Sequence, residues 1–542
     1  MKCFSDKLYA FCLGFIGILM PLFTGLLFVS GFILTCFSTD METQKVLTKW
    51  DNPLISLFIL LLMSLLFFLP AAYMAVKGSA SAHNLLRFFV LGWFVTLGIL
   101  QILYGKTVPA ADAYSVYDLA QSLAEGDTSV IHPTDSYLSY YPQQMGLAAF
   151  WELLIRLWKL THINQHPYHF LKIVSILLGC VIILYQEKIV HILWQDKRTD
   201  CLYLLLAGAN CPFLMYTSFL YGEIPSFAAI SIGYYFLLRF LAARNDSFPG
   251  AVNPPSDKGK IRKLFGSPLM LAAGSLCFLT ISVMLRKNSL IFVIAAVLVI
   301  LFTGSPKYKR AVLVFFAGLL MLSALLILPC IQKLYECRSG NKINSGVPPI
   351  SYLAMGMQES SRANGWYNGF NFNTYQNTGM NSEATAALSK TAIKERLDYF
   401  REHPGYAVRF YLDKFLSQWV DGTYACRQAT LATFGGRSAF FTSLYEGEYS
   451  KYLIAYCNMY QNILYAGAFW FCLTSPDRKR ITGLPIFLGL ISVFGGFLFH
   501  MLWEGNARYI FPYGLALLPY TARGLHLFGH AVSNTLHLQK ST

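Results

Sequence analysis

PLISLFILLLMSLLFFLPAAYMAV, residues Pro53–Val76, contains no charged side chain. A helix rising about 1.5 Å per residue needs about 20 such residues to cross a hydrocarbon layer about 30 Å thick, so this stretch is long enough to span a membrane. Eleven more stretches read the same way: 9–37, 88–104, 168–186, 201–219, 224–243, 268–285, 289–304, 311–331, 452–473, 483–503 and 509–528. Composition agrees, because 55% of the 542 residues are apolar and only 13% are charged, against about 25% charged in a soluble domain. Disorder, a disulfide scaffold and a nucleic-acid-binding chain are excluded as whole-chain readings. The expected fold class is an all-α polytopic membrane protein with about 12 spanning helices.

The net charge of +15 is explained by where the cations lie. They collect at the N-terminus and in loops 77–87, 188–198, 244–263, 307–310 and 478–480, which the positive-inside rule assigns to the cytoplasm. Both termini are then cytoplasmic. Lys2 and Lys7 precede an apolar run much longer than a signal-peptide core, without a convincing cleavage site, so the first span is expected to remain as an anchor. Segment 144–160 spoils the alternation if it crosses, and it carries Glu152, Arg156 and Lys159. It is therefore expected to be an amphipathic helix on the outer membrane surface.

Four regions follow: two additional N-terminal spans (1–87), a transmembrane core (88–331) with a first external loop (105–167), an external mainly helical domain (332–451), and C-terminal spans (452–542). Within the external domain, 356–380 reads as irregular loop. Residues 382–402 read as a helix with Ser382 as N-cap, closed by Pro404-Gly405, and 406–420 as a second helical run. Of 12 cysteines most fall in spans; Cys337 and Cys426 both fall in the external domain and are one candidate disulfide pair, which the sequence leaves open.

Ion-coupled transport needs ionisable groups deep in the membrane, yet Lys172, Arg239, His500 and Arg523 all sit near span ends. Polar chemistry gathers instead in four places at the outer boundary. Asp112 and Tyr114 follow the third span, with Tyr140, Tyr141, Gln143 and Gln144 beyond them; Asp112 either caps a helix or serves as a general base for a sugar hydroxyl. Glu223 opens the sixth span beside Pro225, as a charge at a helix N-terminus or as a second active-site acid. Arg286 and Lys287 occupy an external hairpin, against the positive-inside trend, where they either snorkel to headgroups or bind phosphate. Trp503, Glu504 and Arg508 join the last two spans, either as a Glu504–Arg508 pair at helical spacing or as a donor site.

These residues together resemble the GT-C type of membrane glycosyltransferase, in particular the bacterial group related to protein O-mannosyltransferases and aminoarabinose transferases. The resemblance covers roughly 88–528. It is carried by Asp112, by Tyr140-Tyr141-Pro142-Gln143-Gln144-Met145-Gly146, by Tyr221-Gly222-Glu223-Ile224-Pro225-Ser226, by Arg286-Lys287-Asn288-Ser289, and by Trp503-Glu504 with Arg508-Tyr509. This chain departs from the pattern in one respect: Gln143 stands where Firmicute members often have histidine. Gly356-Met357, Gly365-Trp366-Tyr367 and Asn368 are also similar to the group, with Trp366 and Tyr367 either lining an acceptor cleft or belonging to the domain core.

The resemblance implies a cell-membrane enzyme that takes a sugar from a polyprenyl-phosphate donor and transfers it, with inversion, to an extracytoplasmic acceptor: a cell-wall polymer, a lipid or a protein. Asp112 matches the catalytic acid position. Arg286, Lys287 and Arg508 would stabilise the departing phosphate, and no metal or other cofactor is implied. Two rival readings remain, a transporter or flippase for a lipid-linked sugar and a cell-wall polysaccharide polymerase or ligase.

Overall fold

The structure is a computed structural model, and it describes residues 2–38, 40–41, 43–76, 80–132, 134, 136–163, 166–242, 267–303, 310–475 and 484–540. The basic loops 244–263, 307–309 and 478–480, and residues 77–79, lie outside the described residues. The Pro53–Val76 helix forms over the bounds its sequence suggests. Leu54, Phe58, Leu61, Leu65 and Leu69 on it are exposed, as suits a helix solvated by lipid. Among the described residues, eight helical stretches are long and apolar enough to cross a membrane.

The other four expected spans are helical but differ in form. Stretch 201–219 is broken at Asn210, which leaves the helical conformation and accepts from the Phe213 N–H at 3.0 Å, capping Cys211–Tyr216 after Lys197–Ala209 has ended. Stretch 289–304 yields Leu290–Phe302, at 13 residues short for a full crossing. Stretch 452–473 lies in Ser450–Thr474, which buries Asn458, Gln461 and Asn462 against other protein. Stretch 509–528 belongs to the Ala507–Lys540 helix, which carries Arg523 and His526 to Asp196. The first expected span also stops early, at Ile33. Leu34–Phe37 pairs antiparallel with Leu47–Trp50, and the Cys36 N–H donates to the Val420 carbonyl.

Two sets of helices form the bundle. Glu223–Ala242 packs on Pro268–Leu285 and Tyr168–Trp194, while Ser450–Thr474 packs on Ala507–Lys540 and Lys2–Ile33. The Ser450–Thr474 and Ala507–Lys540 helices cross so closely that a Cβ on Gly524 would lie 1.8 Å from the Gly467 carbonyl oxygen. Small residues at such a crossing let backbones touch where apolar burial gives no drive between helices.

Segment 144–160 forms the helix Met145–Lys159, packed on Asp112–Glu125, Pro268–Leu285 and Arg310–Ser339. Its face bearing Met145, Ala148, Trp151 and Ile155 is buried, whereas Leu153 and Leu157 are exposed. Buried Glu152 accepts from Arg338 at 2.6 Å and Arg156 at 2.8 Å. Both arginines donate in turn to the Leu123 carbonyl at 2.9 Å, near the end of Asp112–Glu125. Cations at a helix C-terminus satisfy orphan carbonyls, and here they fix the helix that begins with Asp112.

In segment 332–451 the expected helix forms as Ser382–Glu402, but Asn381 is its cap, with Oδ1 accepting from the N–H groups of Glu383 and Ala384 at 3.0 Å. Ser382 donates to the Gly346 carbonyl instead. The next helix, Pro404–Trp419, ends in a segment sunk among the long helices. Trp419 is fully buried and stacks on Tyr513 at 5.9 Å, and Tyr216 donates to the Tyr424 carbonyl. Cys426 is buried there with Sγ 3.4 Å from Met215 Sδ, whereas Cys337 is exposed, and both thiols are free. The candidate disulfide is not formed because its partners occupy different environments.

Candidate active site

The end of the bundle carrying segments 105–167 and 332–451 gathers the polar residues. At its floor lies Glu223, the first residue of Glu223–Ala242 and 0% exposed. Its Oε1 is 2.9 Å from Arg286 Nη1 and 3.7 Å from Arg508 Nε. Arg286 follows the C-terminus of Pro268–Leu285, and Arg508 lies in the first turn of Ala507–Lys540. One carboxylate against two guanidiniums leaves a net positive charge. The Arg508 guanidinium lies over the rings of Tyr221 and Tyr509, both at 5.4 Å, and of Phe219 at 5.5 Å. Arg286 lies 5.9 Å from the Tyr509 ring, whose other neighbours include the buried ring of His500 at 5.6 Å.

Asp112 lies near enough to this floor for its charge to act on Arg508. It opens Asp112–Glu125 without capping it, because the position before it is Ala111, which makes no side-chain cap bond. Ala111 has φ 48° and ψ −130°, a conformation that suits glycine, so the backbone is strained immediately before the exposed carboxylate. The charge of Asp112 acts on Tyr137, Tyr141, Tyr352, Tyr367 and Glu504, and reaches Tyr221, Arg508 and Tyr509 on the floor. These groups therefore lie within electrostatic reach of one carboxylate. Gln144 donates its amide to the Tyr221 hydroxyl, and the rings of Tyr137 and Tyr141 meet at 5.2 Å. Burial pushes the Tyr141 phenol above its ordinary range, so it remains a hydrogen-bond donor at neutral pH.

The third wall is the link between Leu488–Leu502 and Ala507–Lys540. Glu504 is 8% exposed and accepts from the Tyr509 hydroxyl at 3.2 Å. Burial pushes its carboxyl up to about 7, with the negative charge of Asp112 adding to the effect. The ring of Trp503 is held between Phe499 at 5.0 Å and Tyr352 at 5.5 Å. Behind it, Lys414 donates to the Trp503 carbonyl, and burial pushes the amine down to about 7.

Of the residues singled out in the sequence, Asp112, Tyr141, Gln144, Tyr367, Glu504, Glu223, Arg286 and Arg508 converge. Others face elsewhere. Tyr114 is half exposed, two positions beyond Asp112 on the helix, and neighbours Tyr168. Tyr140 stacks on Phe372 at 4.9 Å and belongs to the packing of helix Phe370–Asn377. Trp366 is core: it is 3% exposed, packs with Ala425 and Ala507, and donates its indole N–H to Ser417 at 3.0 Å. Lys287 is exposed and Gln143 half buried. Glu504 and Arg508 do not pair, because the chain between the two helices is not helical.

Tyr137, Tyr352 and Lys414 were not singled out. Tyr137 lies one helical turn before Tyr141, a spacing the sequence displays; Tyr352 and Lys414 sit in ordinary helical runs with no local signal. Among the described residues no group of three or more His, Cys, Asp or Glu is placed to hold a metal ion.

No protein-family model matches the chain, and no curated protein matches it. Among solved structures the chain is similar to the oligosaccharyltransferase AglB of Archaeoglobus fulgidus in complex with an inhibitory peptide and a dolichol-phosphate, with a TM-score of 0.45 and 12% identity over 85% of this chain and 52% of that one. It is also similar to an Archaeoglobus fulgidus oligosaccharyltransferase tethered by a disulfide to an acceptor peptide containing the NVT sequon, with a TM-score of 0.44 and 14% identity over 85% of this chain and 51% of that one. The chain thus spans about half the length of each of these solved structures.

Proposed function

We propose that the protein is a membrane glycosyltransferase of the GT-C type that moves a sugar from a polyprenyl-phosphate donor to an acceptor hydroxyl on the extracytoplasmic side. The observation that supports this reading is the nearness of Asp112 to Arg508, which shares the buried Glu223 carboxylate with Arg286. A carboxylate near a cation pair, with tyrosines beside them, suits displacement of a phosphate leaving group.

In this scheme the lipid phosphate rests on Arg286 and Arg508. Glu223 orients the two guanidiniums; fully buried beneath them, it has no face toward an acceptor. The acceptor oxygen attacks the anomeric carbon, Asp112 takes the acceptor proton, and the bond from that carbon to the phosphate oxygen breaks with its electron pair going to the phosphate. Attack from the side opposite the leaving group inverts the configuration. Tyr141, Tyr367 and Glu504 supply hydrogen bonds to the sugar.

The test is incubation of the purified protein with a panel of polyprenyl-phosphate sugars, with release of free lipid phosphate as the readout. Release accompanied by a glycosylated acceptor supports transfer. Movement of intact donor between leaflets without release would replace the reading with a flippase.

A further inference from the structure

Lys414 is buried more deeply than the transfer scheme explains. It lies on Pro404–Trp419 and is 0% exposed. Its Nζ donates to the Trp503 carbonyl at 2.7 Å and to the Gly356 carbonyl. Among the described residues no carboxylate bonds it; Glu504 is the acid whose charge acts on it. An ammonium taken out of water with only carbonyls for company is costly to bury, and an apolar side chain of the same length would fill the volume without that cost.

Three stretches of chain meet at this ammonium. The Gly505 N–H donates to the Gly365 carbonyl at 2.7 Å, and Trp366 pairs with Gly505 as a parallel bridge. Gly365 has φ +72°, and a Cβ there would lie 2.6 Å from Cδ and Cε of Lys414, so only glycine leaves the lysine room to reach both carbonyls. The residue that follows the clamped Trp503 carbonyl is Glu504, whose carboxylate is acted on by Arg508, Tyr509, Asp112 and Arg362. The path of the backbone through Trp503 thus decides where that carboxylate stands.

We infer that Lys414 is a positioning residue for Glu504: by holding the carbonyls of Gly356 and Trp503 together, it fixes the link between the last two long helices and sets the point at which Glu504 meets the substrate. The inference rests on the transfer reading above. Arg286 and Arg508 are anchored separately by Glu223, so the clamp acts on turnover and leaves donor binding in place.

The experiment compares the full-length protein with Lys414→Met and Lys414→Gln by amide hydrogen exchange and by steady-state kinetics. The methionine variant is expected to exchange about tenfold faster at 503–506 and 356–365 than the unsubstituted protein, with 137–144 unchanged. Its kcat is expected to fall about 10- to 100-fold while the donor KM stays within about threefold. The glutamine variant, which keeps a donor for one carbonyl, should lie between. Unaltered exchange would overturn the clamp, and faster exchange with unaltered kcat would overturn the positioning role. Failure of both variants to fold would overturn it too, by assigning the lysine to folding. If the unsubstituted protein transfers no sugar, the transfer reading fails and the exchange measurement alone decides whether the clamp exists.

Discussion

Arg508 turns its Nε toward Oε1 of Glu223 at 3.7 Å and leaves Glu504 to the Tyr509 hydroxyl. Separation by four residues would allow a Glu504–Arg508 pair on a continuous helix, but the helix ends at Leu502 and the next begins at Ala507. The break keeps the two from forming an ion pair, although the charge of Arg508 still acts on Glu504.

Glu223→Gln keeps the shape and removes the only carboxylate paired with Arg286 and Arg508 among the described residues. Breaking a buried pair by removing one partner costs about 3 to 5 kcal/mol. The variant should unfold at a lower temperature in detergent and bind polyprenyl phosphate more weakly. An unchanged unfolding temperature would deny Glu223 its role in orienting the arginines.

Arg286→Met and Arg508→Met should each lower the rate by the loss of one transition-state donor, about 3 to 4 kcal/mol, and should weaken donor binding. Asp112→Asn should instead lower kcat about 10²- to 10⁴-fold with donor binding nearly intact. Binding is measured by titration with polyprenyl phosphate, and turnover by lipid-phosphate release. Unaltered donor affinity in both arginine variants would remove the phosphate assignment, and unaltered turnover in the asparagine variant would remove the base.

Ala111→Gly should relieve a strained backbone, since φ is 48° with ψ −130° at this position. Such conformations cost about 1 to 3 kcal/mol in a residue with a Cβ, partly offset by the extra freedom glycine has when unfolded. A net gain of about 1 kcal/mol is expected in thermal unfolding. A loss of stability would show that the conformation is not strained.

Glu504 and Lys414 give stability a defined pH dependence. The folded Glu504 carboxyl is raised to about 7, so between its unfolded value of about 4.3 and pH 7 the folded state holds more protons and stability falls as pH rises. The folded Lys414 amine is lowered to about 7, so from pH 7 to its unfolded value of about 10.4 the unfolded state holds more protons and stability rises. Together the two groups contribute a minimum near neutrality. Unfolding temperatures scanned across pH should show Glu504→Gln removing the lower limb and Lys414→Met the upper.

Cys337 should react with a maleimide without prior reduction, because it is exposed and free, while Cys426 should react only after unfolding. Mass-mapped labelling distinguishes this from a disulfide, in which neither would label.

Much of the molecule was legible in its sequence for a plain reason. A helix in lipid must satisfy its own backbone and shed its charges, so Pro53–Val76 and Pro268–Leu285 form over the bounds their hydropathy suggests. The apolar periodicity and charges of segment 144–160 marked it as an amphipathic helix, and the helix Met145–Lys159 forms there. The spans that differed in form did so through tertiary effects: Asn458, Gln461 and Asn462 are tolerated because neighbouring helices bury them, and Trp419 with Tyr424 sinks into the bundle because aromatic partners await it. Site residues followed the same division. Arg286 was conspicuous as a cation in an apolar hairpin, whereas Lys414, on an ordinary amphipathic helix, was not.

That the chain is a bundle of apolar helices could be read from residue order alone, because composition and charge spacing act locally and the cost of a buried charge can be judged residue by residue. Which charges meet follows from the packing of distant segments. Glu223 takes Arg508 and not the helix end alone, and Tyr140 and Trp366 are spent on packing, because those outcomes depend on segments hundreds of residues apart arriving at the same few ångströms.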